Sequence, residues 1–138
     1  MDERDETILN ALIEDSRTSY VELAKRLRIS EAAVRKRVKN LEESGIIQHF
    51  TVKVDPSVLG YNSVAIIGID TEPGFLPEIY EALRRAGNIK YVSLSSGDHM
   101  LMFEAWCKDQ KELCRLISHT KKMRGVTKVC PAILLKDQ

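Results

Sequence analysis

Arg35, Lys36, Lys39 and Asn40 crowd one side of the stretch SEAAVRKRVKNLEESG, residues 30–45. Ammonium and guanidinium groups neutralise backbone phosphates, and a lysine or asparagine presented to a groove hydrogen-bonds base edges. The chemistry on offer is recognition of duplex DNA. A helix over 30–45 would present these groups. Val34, Val38 and Leu41 recur at i, i+4 and i+7, so at about 100° per residue they share one face and turn the polar set outward or sideways. Ser30 is placed to cap the N-terminus, Glu31 complements the positive end of the dipole, and Gly45 is placed to end the helix. Taken alone, such a helix fits a plain solvated face as well; its neighbours must discriminate.

Other chemistries find little support. The 138 residues contain no legible nucleophile-base-acid set, metal-ligand spacing or phosphate-cradling glycine loop, so no enzyme activity and no cofactor or metal is expected. Cys107, Cys114 and Cys130 form no CxxC pair and read as small buried hydrophobes. With 43% hydrophobic and 30% charged residues, the chain belongs to the globular class rather than the disordered one. No apolar run approaches the ~18 residues of a membrane span, and the acidic start MDERDE is unlike a signal peptide, so a cytoplasmic protein without a membrane partner is expected. The net charge of +1 hides a strong asymmetry. Residues 1–24 hold 7 acids and 2 bases, a net of −5, whereas residues 25–39 hold 7 bases and 1 acid, a net of +6. A local positive field beside an acidic flank is what attracts phosphate.

The elements that must position this patch come in order. A first helix is expected over 2–15, capped by Asp2, with Ile8, Leu9, Leu12 and Ile13 as its apolar stripe and its acids facing solvent. Ser19 opens a second, with Glu22 three residues on as a capping box and Val21, Ala24 and Leu27 at helical spacing. Arg28 then stands where a helix-turn-helix often uses glycine for a positive φ. Beyond Gly45 the period becomes two: Phe50, Val52 and Val54 alternate in a strand over 48–54, which Asp55-Pro56 ends. From residue 62 onward the order is strand, helix, strand, strand, helix, strand, a ferredoxin-like βαββαβ arrangement. Two helices on one face of four antiparallel strands leave the other face bare. Ile66, Leu94, Leu101, Phe103 and Trp106 are expected on that face, and a second copy is the economical cover. The fold class is α+β, with residues 1–47 as a helix-turn-helix domain, 48–61 as a hinge strand and linker, and 62–138 as a ferredoxin-like sensing and oligomerisation domain.

Taken together, DERDETIL, RTSYVELAKRLRISEAAVRKRVKNLEESGII, DPSVLGY and SSGDHM, in this order and spacing, resemble the leucine-responsive regulatory protein (Lrp)/AsnC family of transcription regulators, especially its archaeal members. The resemblance spans essentially the whole chain. It implies a winged helix-turn-helix, a hinge strand that pairs with its mate in a dimer, and a regulatory domain that builds tetramers or octamers and binds amino acids between dimers. Carried onto this chain, Ala32, Ala33, Lys36 and Asn40 are placed for base edges, the two small alanines permitting close approach or a thymine-methyl contact. Ser30, Arg35 and Lys39 are placed for phosphates. Arg37 matches a frequent family arginine but sits close to Val38 in helical phase, so pairing with an acid such as Glu42 is at least as good a role.

At the effector turn the chain departs from its family. Members that bind amino acids commonly carry a G-D-Y-D-like turn whose last acid is available to the ligand's ammonium group; here it is Gly97, Asp98, His99 and Met100. Met100 replaces the acid with an apolar group, leaving Asp98 as a turn former or a substitute carboxylate and His99 as a titratable neighbour. The expected function is a sequence-specific regulator acting as dimers or higher oligomers on pseudo-palindromic promoter sites, its own promoter included, with an amino acid as one effector. The alternative is a metabolite-binding module whose N-terminal unit serves protein association.

Overall fold

The computed structural model describes residues 1–135. The chain divides into two compact units, Met1–Lys53 and Val54–Gln138.

In the first unit three helices follow one another: α1 (Glu3–Glu14), α2 (Tyr20–Leu27) and α3 (Glu31–Glu43). Each begins at a side-chain cap. Asp2 and Asp5 satisfy each other's N–H groups in a full capping box on α1, at 2.9 and 3.1 Å. The box expected at Ser19 is half formed. Ser19 accepts the Glu22 N–H at 3.1 Å, while the Glu22 carboxylate turns to Arg26 one turn on. Between α2 and α3, Arg28 does adopt the left-handed conformation, φ 54° and ψ 46°, and the Ile29 N–H closes back on the Ala24 carbonyl.

The core of this unit is Ile8, Ala11, Leu23, Ala24, Val34, Val38 and Leu41. Two expectations shift by part of a turn. Ala11 rather than Ile13 completes the buried face of α1, leaving Ile13 80% exposed, and Leu23 rather than Val21 anchors α2. A core this small leaves little surplus of burial over chain entropy. Residues 48–54 carry strand alternation but pair with nothing among the described residues, and Val52 is 74% exposed. An isolated strand has no ladder to satisfy its N–H and C=O groups. The expected strand is therefore not formed within the single chain, and a groove of about 760 Å³ lies between this segment and Leu9, Leu12 and Ile13.

The second unit contains β1 (Ser63–Thr71), α4 (Leu76–Arg85), β2 (Ile89–Leu94), β3 (Leu101–Cys107), α5 (Gln110–Lys121) and β4 (Val126–Ile133). Its four strands are antiparallel in the order β2-β3-β1-β4, which is the ferredoxin-like order. Ala65, Ile67 and Ile69 of β1 and Leu101, Phe103 and Ala105 of β3 pack with Ile79 and Leu83 of α4 and Leu113 of α5.

This overturns part of the expected bare face. Leu101 and Phe103 are 0% and 1% exposed and belong to the core. Side chains alternate across a strand, and the pairings Val64↔Trp106, Ile66↔Glu104 and Gly68↔Met102 put those residues on the open face instead. That face is mixed. Lys90 lies 6.0 Å over the Trp106 ring, and the Trp106 indole N–H donates to Glu104 at 2.7 Å. The thiols differ too: Cys107 is buried, with its pKa pushed up to about 11 by burial, whereas Cys114 is exposed, against expectation.

Candidate nucleic-acid interface

Helix α3 owes its position to its inner face, where Val34 and Val38 are buried against α1 and α2. The Ser30 hydroxyl accepts the Ala33 N–H at 3.1 Å, and Gly45, at φ 73°, ends the helix. Because the Ser30 oxygen accepts in this cap, its proton stays available to a phosphate oxygen.

The outer face divides by partner. Arg35 pairs with Glu31 at 3.1 Å and lies 5.2 Å over the Tyr20 ring; Lys39 pairs with Glu43 at 3.6 Å. Exposed i,i+4 pairs of this kind contribute only about 0.3–0.5 kcal/mol, so a phosphate can displace either acid at small cost. Ala32, Lys36 and Asn40 are exposed and Ala33 is half-buried; the Lys36 and Asn40 side chains have no hydrogen-bond or ion-pair partner among the described residues.

Arg37 is not part of this face. Its guanidinium binds the Asp2 and Asp5 carboxylates of α1 at 2.8 and 2.7 Å and is 26% exposed. The acid partners are thus Asp2 and Asp5 rather than Glu42, and these two α1 acids are held by an arginine instead of simply facing water. A partner 35 residues away in sequence leaves no periodic trace. The Asp5 N–H, and then the Arg37 guanidinium, hold the Asp2 carboxyl below its ordinary 3.8. A depressed carboxylate stabilises the fold above the unfolded-state pKa, and that stabilisation is lost as pH falls through the folded-state value. Asp2→Asn retains a capping oxygen but no charge. It should therefore be less stable than the parent near neutrality and match it in acid, a convergence measurable by thermal denaturation from pH 7 down to about 2.

The turn over residues 97–100 is pinned to β1. The Met100 N–H donates to the Ile69 carbonyl at 3.1 Å and to Asp70 Oδ1 at 3.2 Å, and its carbonyl accepts the Ser95 N–H at 2.9 Å. His99 folds over Gly68, where an added Cβ would lie 2.6 Å from imidazole Cγ, so glycine is what admits the ring. Its Nδ1 is enclosed, 3.4 Å from Asp70 Oδ2. Asp98 and Gly97 are exposed, with the Gly97 N–H on the Ser95 hydroxyl at 3.3 Å. The structure thus gathers His99 and Met100 around Asp70, a β1 carboxylate that sequence reasoning missed. Its one signal is an acid closing the apolar run NSVAIIGID.

No helix among the described residues is long and apolar enough to cross a membrane, and no group of three or more His, Cys, Asp or Glu side chains among them could hold a metal ion. The winged helix-turn-helix DNA-binding family model matches residues 1–48. The HTH-type transcriptional regulator LrpA of Pyrococcus abyssi is 52% identical over 137 residues, covering 99% of this chain and 97% of that one. The LrpA of Pyrococcus horikoshii is 50% identical with the same coverage. Among solved structures, AsnC of Escherichia coli superposes with a TM-score of 0.79 at 24% identity, over 99% of this chain and 93% of that one. A Neisseria meningitidis regulator solved as an L-Met complex gives 0.82 at 21%, over 99% and 91%. These relatives are regulators rather than enzymes, and they match through the helices that build the cationic face as well as through the four-stranded unit. The chain belongs to the Lrp/AsnC family of DNA-binding transcription regulators.

Proposed function

We propose that α3 reads base edges with Ala32, Ala33, Lys36 and Asn40 and grips phosphates with Ser30, Arg35 and Lys39. The observation that carries this reading is the pair of exposed side chains, Lys36 and Asn40, without intramolecular partners among the described residues, on a helix whose opposite face is buried. Two copies act together in the cytoplasm. The alternating segment 48–54, unpaired within the chain, pairs with its mate, and the open sheet face packs on a second copy. Dimers then assemble into tetramers or octamers. A two-fold pair of recognition helices demands pseudo-palindromic half-sites about 34 Å, or a multiple of it, apart.

The turn of Gly97, Asp98, His99 and Met100 is the effector site, with an amino acid as ligand. The L-Met complex of the neisserial regulator supports that ligand class, and Asp70 supplies a carboxylate for its ammonium group. Gel shifts with the protein's own upstream DNA, at stated salt against random competitor and with and without an amino-acid mixture, test the reading. A specific shift altered by the mixture is expected. Absence of any specific shift at micromolar protein would favour an N-terminal unit that serves protein association.

A further inference from the structure

Lys111, Arg115, Ser118 and Lys122 line one side of α5, and at 100° per residue they fall within an arc of about 60°. All four are exposed, and Arg115, Ser118 and Lys122, with Cys114 and His119, border a shallow depression of about 370 Å³. The opposite side carries Leu113, Leu116, Ile117 and Thr120 into the core, so the helix is fixed and the stripe stays outside.

Residues 108–128 hold 7 bases and 2 acids, a net of +5. Both acids are committed to the start of the helix. Asp109 caps it by accepting the Glu112 N–H at 2.8 Å, and Glu112 accepts the Lys108 N–H at 2.7 Å. No cation in this stretch forms a salt bridge among the described residues, in contrast to Arg35 and Lys39 on α3 and Arg84 on α4, which all face acids. Complementing the helix dipole accounts for Lys121 and Lys122 at the C-terminal end. It does not account for Lys111 and Arg115 in the first half.

We infer that the outer face of α5 is a second DNA surface, one that holds backbone phosphates. The occupant follows from charge: a row of cations carried on one packed helix and without salt-bridge partners among the described residues complements a row of phosphates. Phosphate contacts position the duplex without reading sequence, so this surface adds affinity and bound length but no base preference. The inference rests on the DNA-binding role of α3.

The test is the triple variant Lys111→Gln, Arg115→Gln and Lys122→Gln in the full-length protein, with binding to its own upstream DNA followed across salt concentrations. Each phosphate contact contributes about 0.9 to the salt slope, so the slope should fall by roughly 2 to 3 for each engaged protomer. Affinity at about 0.1 M salt should drop at least tenfold, with the ratio of specific to random binding unchanged. An unchanged slope would overturn the proposal, as would an equal loss from Arg84→Gln with Arg85→Gln on α4, which would mean that net charge alone matters. A smaller assembly in light scattering would instead make the stripe a contact between copies. If the parent protein binds no DNA, the α3 reading fails along with this one; if Lys36→Ala weakens binding and the triple variant does not, this proposal fails alone.

Discussion

Replacing Gly125 by alanine should destabilise the second unit by about 2 to 5 kcal/mol, from two separable causes. Gly125 closes α5 onto β4 at φ 89°, where an L-residue costs about 1–2 kcal/mol. Its α-carbon also meets Phe75, ahead of α4, so closely that an added Cβ would fall 2.7 Å from ring carbon Cδ2, and nearer still to Cγ. Overpacking of that kind costs about 1–3 kcal/mol more. The Gly125 carbonyl accepts the Glu72 N–H at 2.8 Å, and Arg124 stacks 5.1 Å over the same Phe75 ring, so the turn cannot swing away without breaking both. Gly60 separates the two causes. It sits at φ 88° with nothing within 4 Å of where a Cβ would stand, so Gly60→Ala should show the conformational cost alone. Chemical denaturation of both variants measures the difference. Equal losses at the two positions would mean that the Phe75 contact relaxes freely.

Features of local origin are legible in the sequence. Helix starts at Asp2, Ser19 and Ser30 depend on a side chain reaching an N–H three residues on, and the left-handed Arg28 follows from the short connection between α2 and α3. Features of long-range origin are not. Which side of β3 faces the helices depends on its register with β1, and a shift of one residue exchanges the two faces; the apolar pattern alone therefore puts Leu101 and Phe103 on the wrong side. The same holds at the candidate sites. The outward set on α3 can be read from helical phase, but the Arg37 grip on Asp2 and Asp5, and the His99 ring over Gly68 beside Asp70, bring together residues whose separation hides them from any periodic pattern. The segment 48–54 is a different case. Its alternation is real, but no neighbouring strand among the described residues pairs with it, so alternation alone makes no sheet.

Lys36→Ala should weaken binding to the cognate site by about 1 to 3 kcal/mol, roughly 5- to 150-fold, while leaving random DNA much less affected. The expectation follows from the two kinds of cation on α3. Lys36 has no carboxylate to leave behind, so its ammonium group enters a groove without breaking an internal pair, and its removal leaves a base acceptor unsatisfied on the DNA. Lys39 begins paired to Glu43 at 3.6 Å and, at a phosphate, exchanges one exposed ion pair for another. Lys39→Ala should therefore weaken all sequences alike and flatten the salt slope by about one unit. Glu43→Gln, which frees Lys39, should move binding in the opposite direction by a small factor, because the pair it removes is worth only about 0.3–0.5 kcal/mol. Binding isotherms on cognate and random duplexes over a range of salt separate these outcomes. Equal losses on both duplexes for Lys36→Ala and Lys39→Ala would show that the two lysines share one role, and base reading would then fall to Asn40 and the alanines that precede it.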